Sequence, residues 1–120
     1  MKLTAKIFLE DHQKLVLGPG RINLLKATEP LGSLHKAARA IGMSYRWAWG
    51  RIKTAERELG LPLLTQEGEP GKGKNKILSS EARELLRWYS EIESKTEQAL
   101  LEGALKCPNF LKIERLAEKV

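Results

Sequence analysis

Apolar residues recur at every second position in the N-terminal part of the chain, from Leu3 to Leu9 and again at Leu15 and Leu17, after the polar stretch EDHQK. Successive side chains of a β-strand point to opposite faces, so this two-residue period is typical of strands with one buried face. The sequence GPG at 18–20 then interrupts the pattern. We therefore predict an N-terminal β-hairpin that ends at these residues.

The period then lengthens to the three- and four-residue spacing of an amphipathic helix. A first short helix is predicted from Arg21 to the neighbourhood of Gly32, with apolar residues at 22, 24 and 25. The next stretch, GSLHKAARAIGMSYRWAWGRIKTAERELG, has the pattern of two helices joined by a tight turn.

Capping residues mark the ends of these two helices. Ser33 and Ser44 can each accept a backbone hydrogen bond at a helix start, and Gly42 and Gly60 stand where a helix ends in a left-handed residue. The predicted inner faces are Leu34, Ala37, Ala38 and Ile41 in the first helix, and Ala48, Ile52, Ala55 and Leu59 in the second. Small residues near the turn let the helices cross closely, which is the spacing of a helix-turn-helix.

A glycine- and lysine-rich segment, GEPGKGKNK at 68–76, follows a short apolar stretch. It nearly fits the nucleotide-binding pattern G-x-x-x-x-G-K-[ST], but Asn75 replaces the hydroxyl residue that holds Mg²⁺ in such loops. A phosphate-binding loop also has to start a helix immediately, whereas residues 76–78 favour a strand. We therefore reject a nucleotide hydrolase and predict strand, basic loop and strand, which is the wing of a winged helix.

A long amphipathic helix is predicted from a cap at Ser80 to Gly103. Its apolar stripe is longer than a small domain can cover, so a symmetric homodimer is expected. The predicted dimer contacts are Leu85, Tyr89, Ile92 and Leu100. Residues 1–103 are predicted to be one winged-helix domain, and residues 104–120 a C-terminal extension.

The predicted fold class is mainly α with small β elements (α+β). A chain of 120 residues has room for one such domain. No apolar run approaches the about 18 residues that cross a bilayer, and the early charges do not fit a secretion signal; a cytoplasmic protein is expected. One cysteine, Cys107, cannot form an internal disulfide. Since no catalytic constellation or metal-ligand spacing is visible, we predict a non-enzyme without a cofactor.

The charge distribution adds a candidate partner. The net charge is +6, which is compatible with a polyanion. Residues 33–66 carry six Lys or Arg against two Glu, whereas residues 81–102 carry three against six Glu. A basic middle and an acidic later segment indicate two faces with different roles.

These stretches resemble a known family. GSLHKAARAIGMSYRWAWGRIKTAERELGLPLL, followed by the wing and ILSSEARELL, resembles the winged helix-turn-helix of LysR-type transcription regulators. The N-terminal hairpin, the RINLLK helix and the GMSYRWAW turn make residues 3–100 similar to the DNA-binding domain of ModE-type, molybdate-responsive regulators. The resemblance implies a dimer that places two recognition helices in successive major grooves of double-stranded DNA. ModE-type regulators sense molybdate in C-terminal domains, which this chain is expected to lack, so no small-molecule effector is assigned.

The resemblance implies that Ser44, Tyr45, Arg46 and Trp47 lie on the N-terminal turn of the recognition helix, and that Lys72, Lys74 and Lys76 lie on the wing. The full set of predicted DNA-binding residues also includes Ser33, Arg39 and Arg51. Arg46 is interpreted as a reader of guanine or a phosphate contact, Trp47 as exposed, and Trp49 as core or wing support. An RNA-binding module and a protein-interaction module remain as alternatives, although the narrow major groove of A-form RNA disfavours the first.

Overall fold

The computed structural model describes residues 1–67 and 75–114. Its elements are, in chain order, β1 (Leu9–Asp11), β2 (Lys14–Leu17), α1 (Pro19–Leu31), α2 (Leu34–Ile41), α3 (Tyr45–Leu59), β3 (Leu64–Glu67), β4 (Asn75–Leu78) and α4 (Ser80–Leu105). Strands β1 and β2 form one antiparallel hairpin, and β3 and β4 form another. The helix-dominated α+β class is confirmed.

The N-terminal hairpin is present but shorter than predicted. Strand β1 begins at Leu9, so residues 3–8 precede it as an unpaired segment, and His12 and Gln13 form the tip with φ angles of 49° and 69°. Two consecutive left-handed residues match the twist of a two-residue hairpin loop. The hairpin ends at Leu17, directly before the GPG sequence as predicted. Pro19 then begins α1, because a helix start needs no N–H from its first residue.

Helices α2 and α3 form the predicted helix-turn-helix. The Ser33 hydroxyl accepts the Lys36 N–H at 3.1 Å, and Gly42 ends α2 at φ 82°. The buried faces are Leu34, Ala37 and Ala38 in α2, and Ala48, Ile52 and Ala55 in α3. The assignment of Ile41 to the inner face is wrong: it is the last residue of α2, beyond the buried face, and is 45% exposed.

The core lies where α1, α2 and α3 meet the two hairpins. Its largest fully buried side chains include Leu17 of β2, Leu24 of α1 and Leu78 of β4, together with Leu63 just ahead of β3. In α1, the buried Thr28 hydroxyl donates to the Leu24 carbonyl at 2.8 Å. Both hairpins are therefore anchored in the same core as the helix-turn-helix.

The wing strands pair in antiparallel register, from Leu64 opposite Leu78 to Glu67 opposite Asn75. A carboxylate of α3 holds the start of β3, since Glu56 Oε2 accepts the Leu63 N–H at 2.7 Å and the Leu64 N–H at 3.1 Å. The hairpin of the predicted wing is confirmed. The loop with Lys72 and Lys74 lies outside the described residues.

The long helix α4 is confirmed, with corrected ends. Ser79, and not Ser80, is its N-cap, because the Ser79 hydroxyl accepts the Ala82 N–H at 3.0 Å. The helix passes through Gly103, which keeps a negative φ, and ends at Leu105. The predicted boundary at 103 thus falls within α4, and the division into domain and extension stays a prediction. In the described ranges no helix is long and apolar enough to cross a membrane.

Candidate nucleic-acid interface

The first turn of α3 presents polar and aromatic side chains to solvent. Ser44 caps it by accepting the Trp47 N–H at 3.2 Å. Arg46 is exposed, and Trp47 is 60% exposed. Tyr45 instead packs partly against the core, and its ring lies 5.2 Å from that of His35 at the start of α2. The first turn of α3 is therefore anchored through Tyr45, while Arg46 and Trp47 face solvent.

Trp47 and Arg51 are joined one turn apart on α3. The Arg51 Cζ lies 5.8 Å from the centroid of the Trp47 ring, within the range of a cation–π interaction. Such contacts at helical spacing restrict two otherwise mobile side chains. The predicted exposure of Trp47 is confirmed, and Arg51 lies beside it.

The interpretation of Trp49 as a core residue is wrong, and its alternative role as wing support stays a prediction. Trp49 is 40% exposed, and the Lys53 Nζ lies 5.2 Å from its ring centroid. The buried line of α3 is occupied by Ala48 and Ile52, which leaves the neighbouring Trp49 at the surface. Its ring lines a surface cleft beside Pro62, just ahead of the wing.

The other predicted contacts are spread around this face. Ser33 is buried at 3% exposure, and its hydroxyl oxygen caps α2, so the structure gives it an internal role. Arg39 is exposed in the last turn of α2, where a cation is favoured by the helix dipole. Lys76 is half-buried on β4, opposite Gln66. The DNA contacts of these residues stay predictions.

The predicted dimer residues of α4 do not form one exposed stripe. Tyr89 is 2% exposed, and its hydroxyl donates to the Ile7 carbonyl, so it belongs to the core of this chain. The reason is the segment before β1, which covers the middle of α4. Burial and the charge of Glu93 raise the pKa of Tyr89, which keeps the phenol protonated as a donor. Leu85, Ile92 and Leu100 are half-buried.

Two residues near these faces were not identified from the sequence. Trp88 of α4 is 47% exposed and lines a surface cleft with Leu85, three residues before it. Arg21 lies in the first turn of α1, where the helix dipole opposes a cation. Burial, and then the positive charge of Arg51, lower the pKa of Arg21. The available signal was its unfavourable position in the helix.

Three features define a winged helix-turn-helix: α3 has a capped and exposed first turn, a tight turn with left-handed Gly42 precedes it, and the β3–β4 hairpin follows it. Residues 20–71 match the family model described as bacterial regulatory helix-turn-helix protein, lysR family.

The comparisons with individual proteins point the same way. The chain is 31% identical over 88 residues to the transcriptional regulator ModE of Haemophilus influenzae, covering 73% of this chain and 34% of that protein. It is 28% identical over 99 residues to the molybdenum transport protein ModE of Azotobacter vinelandii, covering 82% and 37%. The chain thus spans about a third of the length of these curated relatives.

A solved structure is similar as well. ArgP from Mycobacterium tuberculosis superimposes with a TM-score of 0.53 at 25% identity, over 72% of this chain and 30% of that one. The prediction of a ModE-like, LysR-type winged helix-turn-helix domain is confirmed. The relatives also favour a DNA-binding transcription regulator over the RNA-binding and protein-interaction alternatives.

Proposed function

We propose that the chain is a sequence-specific, double-stranded-DNA-binding transcription regulator of the ModE/LysR-like type that acts as a homodimer. The observation that carries this proposal is the first turn of α3, which is capped by Ser44, exposes Arg46 and Trp47, and contains no acidic residue. The positive end of a helix dipole without a nearby carboxylate suits the negative surface of DNA.

The recognition step follows from how α3 is held. Ala48, Ile52 and Ala55 are fully buried, so the helix is fixed to the core while its first turn projects. In the major groove, Arg46 donates to O6 and N7 of a guanine, which is the common specific contact of arginine. The wing lysines Lys72, Lys74 and Lys76 contact phosphates and fix the orientation.

Two-fold symmetry completes the geometry. We place the dimer contact on α4 at Leu85, Ile92 and Leu100, which are half-buried and remain partly accessible to a second copy. A two-fold dimer of this class presents its two recognition helices about 34 Å apart, one turn of DNA. Sedimentation is expected to give twice the 13.5 kDa of one chain. A monomer at high micromolar concentration would contradict the proposed homodimer.

The winged helix carries the proposed function without catalytic activity, cofactor or small-molecule effector. The molybdenum named in the relatives is a property of those proteins. A DNA-binding regulator works in the compartment that contains the chromosome, which supports the cytoplasmic location expected from the sequence.

The test is selection of bound sites from random duplexes, followed by affinity measurements with Arg46→Ala. Selected sites are expected to contain inverted half-sites about 10 base pairs apart. Arg46→Ala should weaken the best site by about 1 to 3 kcal/mol and random DNA much less.

The matched control is Arg87→Ala, since Arg87 is an exposed arginine on the side of α4 opposite Leu85. Equal binding to duplex RNA, or no nucleic-acid binding at moderate salt, would overturn the proposal. Equal losses on specific and random DNA would make Arg46 a phosphate contact.

A further inference from the structure

Arg21 is fixed at the junction between the N-terminal hairpin and α1. Its Nη1 donates to the Val16 carbonyl at 3.0 Å and to the Leu15 carbonyl at 3.3 Å. Its Nε is buried and has no hydrogen-bond partner among the described residues. The guanidinium is therefore held in one orientation, and Nη2, which donates no hydrogen bond to the described residues, is the nitrogen left for a further partner.

Arg51 reaches the same place from α3. Its Nη2 lies 3.8 Å from the position that a Cβ on Gly20 would occupy, so its guanidinium lies along the first turn of α1. Burial and the Arg51 charge both lower the pKa of Arg21, in keeping with two cations in close proximity. No ion pair among the described residues includes either arginine.

Two neighbouring guanidinium groups repel each other until an anion lies between them. Phosphate is the anion that matches them best, because guanidinium groups donate charge-assisted hydrogen bonds to its oxygens. The buried Nε of Arg21 takes no part, but Gly20 beside the pair is exposed, and the first turn of α1 contains no acidic residue. Arg51 is on the helix proposed to enter the groove and follows Trp47 by one turn.

We propose that Arg21 and Arg51 jointly bind one phosphate of the DNA backbone, so that the start of α1 contacts DNA although it lies outside the helix-turn-helix. This inference rests on the proposed function. Arg51 is then a phosphate contact and not a base reader. Because Arg21 is fixed to the carbonyls at the end of the hairpin, the shared phosphate contact would determine how deeply α3 enters the major groove.

The primary test measures DNA affinity against salt for Arg21→Gln, Arg51→Gln, the double variant and the control Arg87→Gln. Each single change should lower affinity by the same factor on selected and random duplexes and reduce the slope of log K against log salt by about one. Because the two arginines share one phosphate, the double variant should lose less than the two single effects combined. Binding by Arg21→Gln equal to that of the parent protein, or fully additive losses, would overturn the shared site.

A second measurement separates the site from the fold. Since Arg21 also binds β2 carbonyls, the variants are first compared by circular dichroism, and Arg51→Gln removes the pair without touching those bonds. Inorganic phosphate should raise the melting temperature of the parent protein more than sodium chloride at equal ionic strength. Part of this difference is the general stabilisation by an excluded anion, so the difference should be smaller in Arg21→Gln and Arg51→Gln than in the parent. An equal difference in parent and variants would contradict the site.

The two measurements also distinguish this inference from the function on which it rests. If the parent protein binds no duplex DNA, the proposed function is wrong. The phosphate-dependent melting shift would then test the arginine pair alone: a smaller shift in both variants supports a phosphate site, and an unchanged shift contradicts it.

Discussion

Helices α3 and α4 both begin after a serine whose hydroxyl caps the first turn, yet the two starts lie in opposite surroundings. Ser79 is buried, and besides its cap bond it donates its hydroxyl to the Pro62 carbonyl at 2.7 Å and its N–H to the Leu63 carbonyl at 2.9 Å. Ser44 is exposed, and its side chain makes only the cap bond among the described residues. The start of α4 is tied to the chain ahead of the wing, whereas the start of α3 is open.

The charges follow the same division. The first turn of α4 contains Glu81, which complements the positive end of the helix, while the first turn of α3 contains Arg46 and no acid. The α4 start is thus satisfied within the chain, and the α3 start keeps an uncompensated positive end. The same local feature, a serine cap, therefore serves packing in α4 and leaves an exposed positive helix end in α3.

Replacing each cap by alanine should separate the two helices most clearly. Ser79→Ala removes the cap and leaves the Pro62 carbonyl without its donor, so we expect a loss of about 2 to 3 kcal/mol in the free energy of unfolding. Ser44→Ala should lose about 1 kcal/mol or less, because water replaces the lost partner. Urea denaturation of both variants measures the difference, and equal losses would contradict the division.

Replacing Tyr89 measures how much its contact with the N-terminal segment contributes to the free energy of unfolding. Tyr89→Phe keeps the ring but removes the donor to the Ile7 carbonyl. A loss of about 1 to 2 kcal/mol is expected, since a partly buried acceptor is left unpaired. Thermal unfolding checks this, together with sedimentation: a variant that unfolds like the parent but no longer dimerises would restore Tyr89 as an interface residue.

The far end of α3 is tied to the wing by Glu56, in contrast to its open start. Burial opposes ionisation of this carboxyl, but the Leu63 and Leu64 N–H groups and Lys53 outweigh it, so the pKa of Glu56 is below its ordinary value of 4.5. A depressed pKa in the folded state gives stability that is present above the unfolded pKa and is lost as pH falls through the folded pKa.

Glu56→Gln should therefore lose about 1 kcal/mol at neutral pH and show a smaller loss of stability than the parent as the solution is acidified below about pH 4.5. Denaturation at a series of pH values measures both effects. Parallel pH profiles for the two proteins would show that Glu56 does not titrate with folding.

The surface ion pairs of α4 should matter least. Lys26 and Glu93 lie 2.6 Å apart, and their side chains are 41% and 40% exposed. Exposed pairs of this kind contribute about 0.5 kcal/mol or less and weaken with salt. Lys26→Ala should be close to neutral in 0.5 M salt. A loss above about 1 kcal/mol there would mean that α1 and α4 depend on this contact.

The helix caps and the helix-turn-helix of this fold could be predicted from the sequence. Ser33, Ser44, Gly42 and Gly60 stand at the helix ends where capping preferences place them, and the helix-turn-helix follows from their spacing with the buried alanines. The wing hairpin follows from the strand-favouring residues on both sides of the basic loop. These features depend on neighbours within a few positions.

The features that the sequence did not reveal depend on distant parts of the chain. Tyr89 looked like an exposed contact because its cover, the segment at Ile7, comes from the other end of the sequence. The unfavourable position of Arg21 at a helix start is visible in the sequence, but its proximity to Arg51 depends on how α3 packs against α1. Helical periodicity placed Trp49 near the buried line of α3. The space between α2 and α3 is narrow and is filled by buried alanines, so the indole of Trp49 stays at the surface.

The hydrogen bond between Tyr89 and Ile7 has a kinetic consequence. It joins residues 82 positions apart, so forming it closes a long loop of chain and follows the nearby contacts of the helix-turn-helix. The segment before β1 should accordingly be the last part to dock and the first to detach. Native-state amide exchange would report that detachment as a sub-global opening of α4, with the protons of α2 and α3 still protected.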